Sequence, residues 1–183
     1  KKFDLKKFSN IGKEYIKNLK SLSGNSDRIT DKMPINFKWI GLIKLILPES
    51  KIIHCTRDSH DNCFSIFKNY FANKELNYAY ELNEISSFYI LYYDLMNYWK
   101  SVLPNFIYDI KYEDLVNNPN VKIPELIKKC DLEWEDNCLR HYNNKRIIKT
   151  ASDTQARKKI YKSSINSWRK YENKLKEIFR NLP

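Results

Sequence analysis

The chain has 183 residues, of which 42% are hydrophobic and 30% are charged, so its composition fits one globular domain and excludes a disordered polypeptide. Lysine and arginine outnumber aspartate and glutamate by 33 to 22, and the net charge of +11 suits an anionic partner; the alternative is dispersed surface charge without a dedicated partner, because lysine is spread along the whole sequence. No run approaches the roughly 18 apolar residues of a membrane helix, and no signal peptide is visible. The four cysteines form no CxxC pair, which predicts a metal-free protein of the reducing cytoplasm.

The first elements are predicted from apolar spacing. Apolar side chains recur at helical intervals among the lysines of residues 1–22, so an amphipathic helix is expected there, with Gly12 as the place where it could break. A turn cluster then leads to a strand predicted over 28–31, which Pro34 ends. Residues 36–47 are apolar nearly all round and predict a helix buried against a sheet.

The middle of the chain predicts a strand, a turn and a helix. Residues 51–56 are apolar and β-branched, which is typical of a buried strand, and Arg57 follows at its carboxyl end. Asp58 or Ser59 can cap the next helix, and Ser65 falls about two turns into it. Parallel sheets bind ligands at the carboxyl ends of their strands, and helix N-termini attract anions, so this segment predicts a phosphate-binding turn. The alternative is that Arg57 only pairs with Asp58 or Asp61.

The second half is expected to add one strand and several helices. Apolar and aromatic residues repeat at three and four between Ile85 and Trp99, which predicts a long, mainly core-facing helix that ends before Pro104. Residues 106–111 predict a strand that delivers Tyr112 to the carboxyl edge of the sheet. Further helices are expected over 112–117, 124–130, 135–141 and 164–179.

Four short motifs occur in order along the chain. Lys32, in the tetrapeptide DKMP, precedes Arg57 by 25 residues, and Arg57 precedes Ser65 by 8. Tyr112 begins the segment YEDL, and the late stretch TASDTQAR is followed by Trp168 and an arginine. Together these motifs resemble the sulfotransferase superfamily that uses 3'-phosphoadenosine 5'-phosphosulfate (PAPS). They look most similar to its branch of tyrosylprotein sulfotransferases and bacterial sulfotransferases with tetratricopeptide repeats.

The resemblance implies a fold and a reaction. The fold would be a three-layer α/β sandwich with a mostly parallel central sheet, residues 1–183 being the carboxyl-terminal portion of one sulfotransferase domain that is incomplete at its N-terminus. The reaction would transfer a sulfuryl group from PAPS to a hydroxyl of a protein tyrosine, a glycan or a small alcohol, leaving adenosine 3',5'-bisphosphate (PAP). Lys32 and Ser152 would lie beside the transferring group, where donors stabilise developing charge. The cofactor contacts would come from Arg57, Ser65, Tyr112, Ser152, Asp153, Thr154, Gln155 and Arg157.

The sequence also departs from the family pattern. The glycine-containing loop that holds the 5'-phosphosulfate has no counterpart, and the glutamate expected as catalytic base belongs to the same region. An upstream repeat domain would fit a longer chain, since the sequence begins with Lys1. Two other functions stay open: an inactive truncated homologue, or a non-catalytic basic module that binds nucleic acid or an anionic polymer. A kinase is disfavoured because no GxxxxGK[ST] motif occurs.

Overall fold

The computed structural model describes residues 5–24, 26–71, 74–144 and 156–183. This part of the chain is mixed α/β, 63% helical, with a two-strand parallel sheet, which confirms the predicted α/β class. The chain divides into two compact units. The first consists of Lys1–Ile52 with Tyr92–Phe106, and the second of Ile53–Leu91 with Ile107–Pro183.

The regular elements follow one another with short connections. The α-helices are α1 (Leu5–Ser23), α2 (Ile40–Ile46), α3 (Ser59–Lys68), α4 (Leu82–Val102), α5 (Tyr112–Asn117), α6 (Pro119–Lys129) and α7 (Glu172–Leu175). The strands are β1 (Ile52–Thr56) and β2 (Ile107–Lys111). Short 3₁₀ helices cover Pro34–Trp39, Lys74–Tyr80, Asp136–Asn143 and Ser167–Tyr171. None of the helices in the described ranges is long and apolar enough to cross a membrane.

The first unit is built on close helix contacts. The amphipathic helix α1 forms as predicted and runs without a break through Gly12. A Cβ at this position would lie only 1.9 Å from the carbonyl oxygen of Ile46 in α2, so glycine is what allows the two helices to approach so closely. Gly41 meets the ring of Trp99 in the same way, at 2.7 Å from an added Cβ. The Trp99 indole N–H donates to the carbonyl of Phe37 at 2.9 Å. Because glycine has no side chain, α1 can approach the backbone of α2 at Gly12, and the Trp99 ring can approach α2 at Gly41.

Two predictions for this unit are wrong. Residues 28–31 form no strand, and in the described part of the chain they have no neighbouring strand to pair with; Asp31 instead accepts a hydrogen bond from the Tyr15 hydroxyl of α1. The helix predicted over 36–47 starts as a 3₁₀ turn at Pro34 and is not buried all round. Trp39 is 55% exposed, and only Ile40 of α2 is buried, because α2 packs on its neighbours through one face.

The sheet lies in the second unit, apart from the first residue of β1. The strands predicted over 51–56 and 106–111 are confirmed to within a residue, but β1 is not buried on both faces as expected: its burial alternates, and Cys55 is exposed. On α3, by contrast, Cys63 is fully buried, as a small hydrophobe would be. All four cysteines are free thiols. Across the strands, Nδ1 of His54 lies 2.5 Å from a carboxylate oxygen of Asp109.

The core of the second unit joins α3 to the end of the chain. Its buried members are Cys63, Phe64, Ile85, Trp168, Leu175 and Phe179. The single helix predicted over 164–179 is wrong, because Asn166 adopts the left-handed conformation (φ 57°) and regular structure begins only at Ser167. Earlier in the chain the long helix α4 is confirmed, with Ile85 and Met96 buried. The helix predicted over 124–130 begins earlier, because Pro119 supplies a favourable first helical residue.

Candidate functional site

The turn between β1 and α3 forms the centre of the candidate site. Asp58 caps α3, since its carboxylate accepts the backbone N–H of Asp61 at 2.8 Å. The backbone N–H of Asp58 donates to Oε1 of Glu113 at 2.9 Å, which ties this turn to α5. Because β1 and β2 are parallel, the turns that follow them lie at the same edge of the sheet.

Arg57 is half-buried and held on two sides. Its Nη2 donates to the carbonyl oxygen of Ser164 at 2.7 Å, and its guanidinium carbon lies 5.0 Å from the centre of the Tyr112 ring, within the range of a cation–π contact. Its Nε is buried and has no hydrogen-bond acceptor among the described residues. Leaving such a donor unsatisfied costs about 1–3 kcal/mol. An acceptor placed at Nε would remove this cost.

The sequence left open that Arg57 only pairs with Asp58 or Asp61, but neither carboxylate forms an ion pair with it. Asp58 uses its carboxylate to cap α3, and Asp61 uses both oxygens on residues near the end of the chain. Glu113 holds the turn through Oε1, while its Oε2 is buried without a donor in the described part of the chain. None of these three carboxylates is paired with the Arg57 guanidinium.

The thiol of Cys55 is close enough to both Glu113 and Arg57 for each of them to affect its pKa. Although the residue as a whole is exposed, its thiol is partly desolvated, which raises the pKa of the thiol; the carboxylate of Glu113 raises that pKa further, and the guanidinium of Arg57 lowers it. The carboxylate of Glu113 and the guanidinium of Arg57 therefore have opposite effects on the pKa of the same thiol. The thiol stays protonated at neutral pH.

The other predicted site residues are spread over the chain. Ser65 lies two turns into α3 and is half-buried; its carbonyl accepts a hydrogen bond from the Asn69 side chain at 2.7 Å. Lys32 is exposed and belongs to the first unit, whereas Arg57 belongs to the second. Arg157 is exposed and donates to the carbonyl of Asn144 at 3.0 Å. Outside the described residues lie Ser152, Asp153, Thr154 and Gln155.

Of the predicted residues, the structure brings Arg57 and Tyr112 into direct contact. Sequence reasoning missed Glu113 and Ser164. Glu113 had a signal, because it follows Tyr112 within the YEDL motif and a carboxylate there can reach the turn after β1. Ser164 had none, since it acts through a backbone carbonyl that every residue carries. In the described ranges no group of three or more His, Cys, Asp or Glu side chains is arranged to hold a metal ion.

Comparison with known proteins matches the region that contains this turn. A family model described as the sulfotransferase family matches residues 6–136, a segment that includes Lys32, Arg57, Ser65 and Tyr112. A relative from Aquifex aeolicus (strain VF5), described as an uncharacterized protein, is 36% identical over 182 residues. The match covers 98% of this chain and 24% of that protein. The chain thus spans about a quarter of the length of this relative.

Proposed function

This chain belongs to the sulfotransferase family, and on that premise we propose that its second unit binds the 3'-phosphate end of the sulfuryl donor PAPS. The observation that carries the proposal is Arg57: a half-buried guanidinium at the carboxyl end of a parallel strand, with an aromatic ring against it and a buried Nε that lacks an acceptor in the described ranges. The activity that we propose is that of a PAPS-dependent sulfotransferase.

The residues present suit a phosphate. A guanidinium offers N–H groups in a fixed fork that matches phosphate oxygens, and partial burial strengthens the attraction relative to water. A bound 3'-phosphate would give Nε the acceptor that it lacks. We assign the Ser65 hydroxyl as a second donor, on the family's spacing from Arg57, and Tyr112 as the aromatic neighbour of the adenosine.

PAPS would supply the sulfuryl group, and the chain's own residues would orient it. We propose that Lys32 and Ser152 donate to oxygens on which negative charge develops as the group leaves the phosphate. Asp153, Thr154, Gln155 and Arg157 would contact the nucleotide, as the resemblance implies. The acceptor would be a hydroxyl of a protein tyrosine, a glycan or a small alcohol. Free cysteines favour a reducing compartment, and we propose the cytoplasm.

The proposal is tested by calorimetric titration with PAP. We expect Arg57→Ala to lower the affinity at least about tenfold, because hydrogen bonds to a charged partner are worth about 1.5–3 kcal/mol. Arg57→Lys should give an intermediate affinity, since it keeps the charge but loses the fork. Arg28→Ala is the matched control, because Arg28 is exposed and lies in the other unit. Its affinity should equal that of the unmodified chain.

Two outcomes would contradict the proposal. Equal binding of PAP by the unmodified chain and by Arg57→Ala would remove Arg57 from the site. Failure to bind PAP, together with tight binding of single-stranded nucleic acid that weakens steeply with salt, would identify a basic module instead.

A further inference from the structure

Asp61 is the most completely buried acidic group in the described part of the chain, with no exposed surface. One of its oxygens accepts the backbone N–H of Asn166 at 2.5 Å. The other accepts the backbone N–H of Trp168 at 3.0 Å and the hydroxyl of Ser167 at 3.1 Å. A buried carboxylate is stable only when donors replace its lost water, and here three consecutive residues provide them.

These donors belong to the turn that opens the last helical segment. Asn166 lies in the left-handed region, at φ 57° and ψ 24°, which costs a residue with a side chain about 1–2 kcal/mol relative to a right-handed conformation. The hydrogen bonds to Asp61 compensate for that cost, because they need the N–H groups of Asn166 and Trp168 to point to the same place. The carboxylate therefore selects the conformation of this turn.

Other residues of the first turn of α3 also hold the end of the chain. The imidazole of His60 stacks on the ring of Trp168, with ring centres 4.5 Å apart. The hydroxyl of Ser59 donates to the carbonyl of Pro183 at 2.6 Å. Asp61 thus acts within a larger contact, but it alone in this turn accepts the backbone N–H groups of Asn166 and Trp168.

Arg57 contacts the residue that lies two positions before this turn, Ser164. The carbonyl of Ser164 accepts the Nη2 hydrogen bond of Arg57, so the position of that carbonyl determines how the guanidinium is rotated. Nη2 is engaged by this bond and the guanidinium carbon lies 5.0 Å from the centre of the Tyr112 ring, while the buried Nε has no acceptor in the described ranges. Arg57 thus binds the segment 164–168 at its first residue, and Asp61 binds it at its last three.

We propose that Asp61 is a positioning residue of the Arg57 site: its buried carboxylate fixes the Asn166–Trp168 turn, which holds the Ser164 carbonyl against Arg57 and aims the guanidinium at the ligand phosphate. The inference rests on the proposed function, because it assigns the ligand as the 3'-phosphate of PAP or PAPS. Asp61 itself touches neither ligand nor reacting atoms. Its effect on binding passes through Arg57.

A double-mutant cycle on the chain tests this path by calorimetry with PAP and with adenosine 5'-monophosphate, which lacks the 3'-phosphate. We expect Asp61→Asn to weaken PAP about tenfold, the scale of one hydrogen bond to a charged group, and to leave the monophosphate unaffected. In the Arg57→Ala background the same substitution should change PAP affinity less than about twofold, because the group it positions is gone. Asp94→Asn, at an exposed helical aspartate, is the matched control and should bind PAP normally.

Circular dichroism establishes that each variant is folded. If Asp61→Asn does not fold, Ser167→Ala takes its place, since it removes one of the three donors and leaves the carboxylate; we expect about a threefold loss for PAP, again only when Arg57 is present. A loss that persists in the Arg57→Ala background, or that is equal for the monophosphate, overturns the positioning role. Absence of PAP binding by the unmodified chain overturns the proposed function, and this inference with it. Loss of binding in Arg57→Ala but not in Asp61→Asn overturns the inference alone.

Discussion

Each of the two units is stabilised internally by a different kind of close contact. In the first unit α1 meets α2 at Gly12, where the backbones approach so closely that no side-chain carbon fits. In the second unit α3 holds the end of the chain through Asp61, whose buried carboxylate collects three donors. The contact at Gly12 depends on the absence of a side chain, and the contact at Asp61 depends on the presence of a carboxylate. Adding a methyl group at Gly12 should therefore destabilise the first unit, and removing the carboxylate of Asp61 should destabilise the second.

The largest effect is expected from removing the charge. Asp61→Ala leaves the N–H of the buried Trp168 and two neighbouring donors without their acceptor, and we expect the free energy of unfolding to fall by about 3 kcal/mol. Urea denaturation followed by Trp fluorescence measures the change. Asp94→Ala is the control, because its carboxylate is exposed, and it should cost less than about 0.5 kcal/mol. Similar values for the two variants would show that the buried carboxylate is not a structural anchor.

A somewhat smaller effect is expected from adding an atom. Gly12→Ala would place a Cβ 1.9 Å from the Ile46 carbonyl oxygen, so α1 and α2 must separate, and we expect a loss of about 2 kcal/mol. Gly24→Ala is the control: no atom lies within 4 Å of its added Cβ, so only the left-handed φ of 65° costs energy, about 1 kcal/mol. Helix propensity alone predicts a gain of about 1 kcal/mol for Gly12→Ala. A stabilised variant would therefore rule out the close contact.

The smallest effect concerns a polar contact within the first unit. The hydrogen bond to Asp31 raises the pKa of Tyr15 to about 12, with smaller contributions from desolvation and from the carboxylate charge. A tyrosine whose pKa is higher in the folded state stabilises the fold fully below pH 10, and this contribution is lost as pH rises from about 10 to about 12. Alkaline titration of tyrosinate absorbance, with Tyr15→Phe identifying the signal, measures the pKa.

Asp31→Asn should lower the pKa of Tyr15 toward its ordinary value of 10, because the charged acceptor is removed. The control is Asp27→Asn, an exposed aspartate of the same connecting segment. A titration of Tyr15 that is identical in both variants would show that Asp31 does not hold this hydroxyl. It would also leave the first unit without the polar contact that joins α1 to the segment carrying Lys32.

Local signals predicted much of the fold. The β-branched run gave β1, the polar cap at Asp58 gave the start of α3, and apolar spacing gave α1 and α4. Predictions failed where distant residues decide the outcome. Residues 28–31 have strand-like composition, but a strand also needs a partner. The helix predicted over 164–179 has the right spacing, but Asn166 is held in a left-handed turn by a carboxylate 105 residues away.

The features of the candidate site likewise divide into those that the sequence predicted and those that it could not. The contact of Arg57 with Tyr112 followed from a general rule, because the carboxyl ends of parallel strands share one edge of the sheet. The carbonyl of Ser164 and the role of Asp61 could not be predicted, since a backbone acceptor has no residue signature and an aspartate in the first turn of a helix usually serves as a cap or a solvated charge. Side-chain identity predicted that Arg57 and Tyr112 share this edge, and backbone geometry determined the contacts that support them.

The long separation between Asp61 and its partners also bears on the order of folding. The carboxylate lies 105 to 107 residues before the groups that satisfy it, so α3 leaves the ribosome long before they are made. A nascent chain that ends before Trp168 has no means of completing this contact. Since distant pairings form slowly, we expect the Asn166–Trp168 turn to close late, after the two strands have paired. The contact between Arg57 and the carbonyl of Ser164 would then form only as this turn docks.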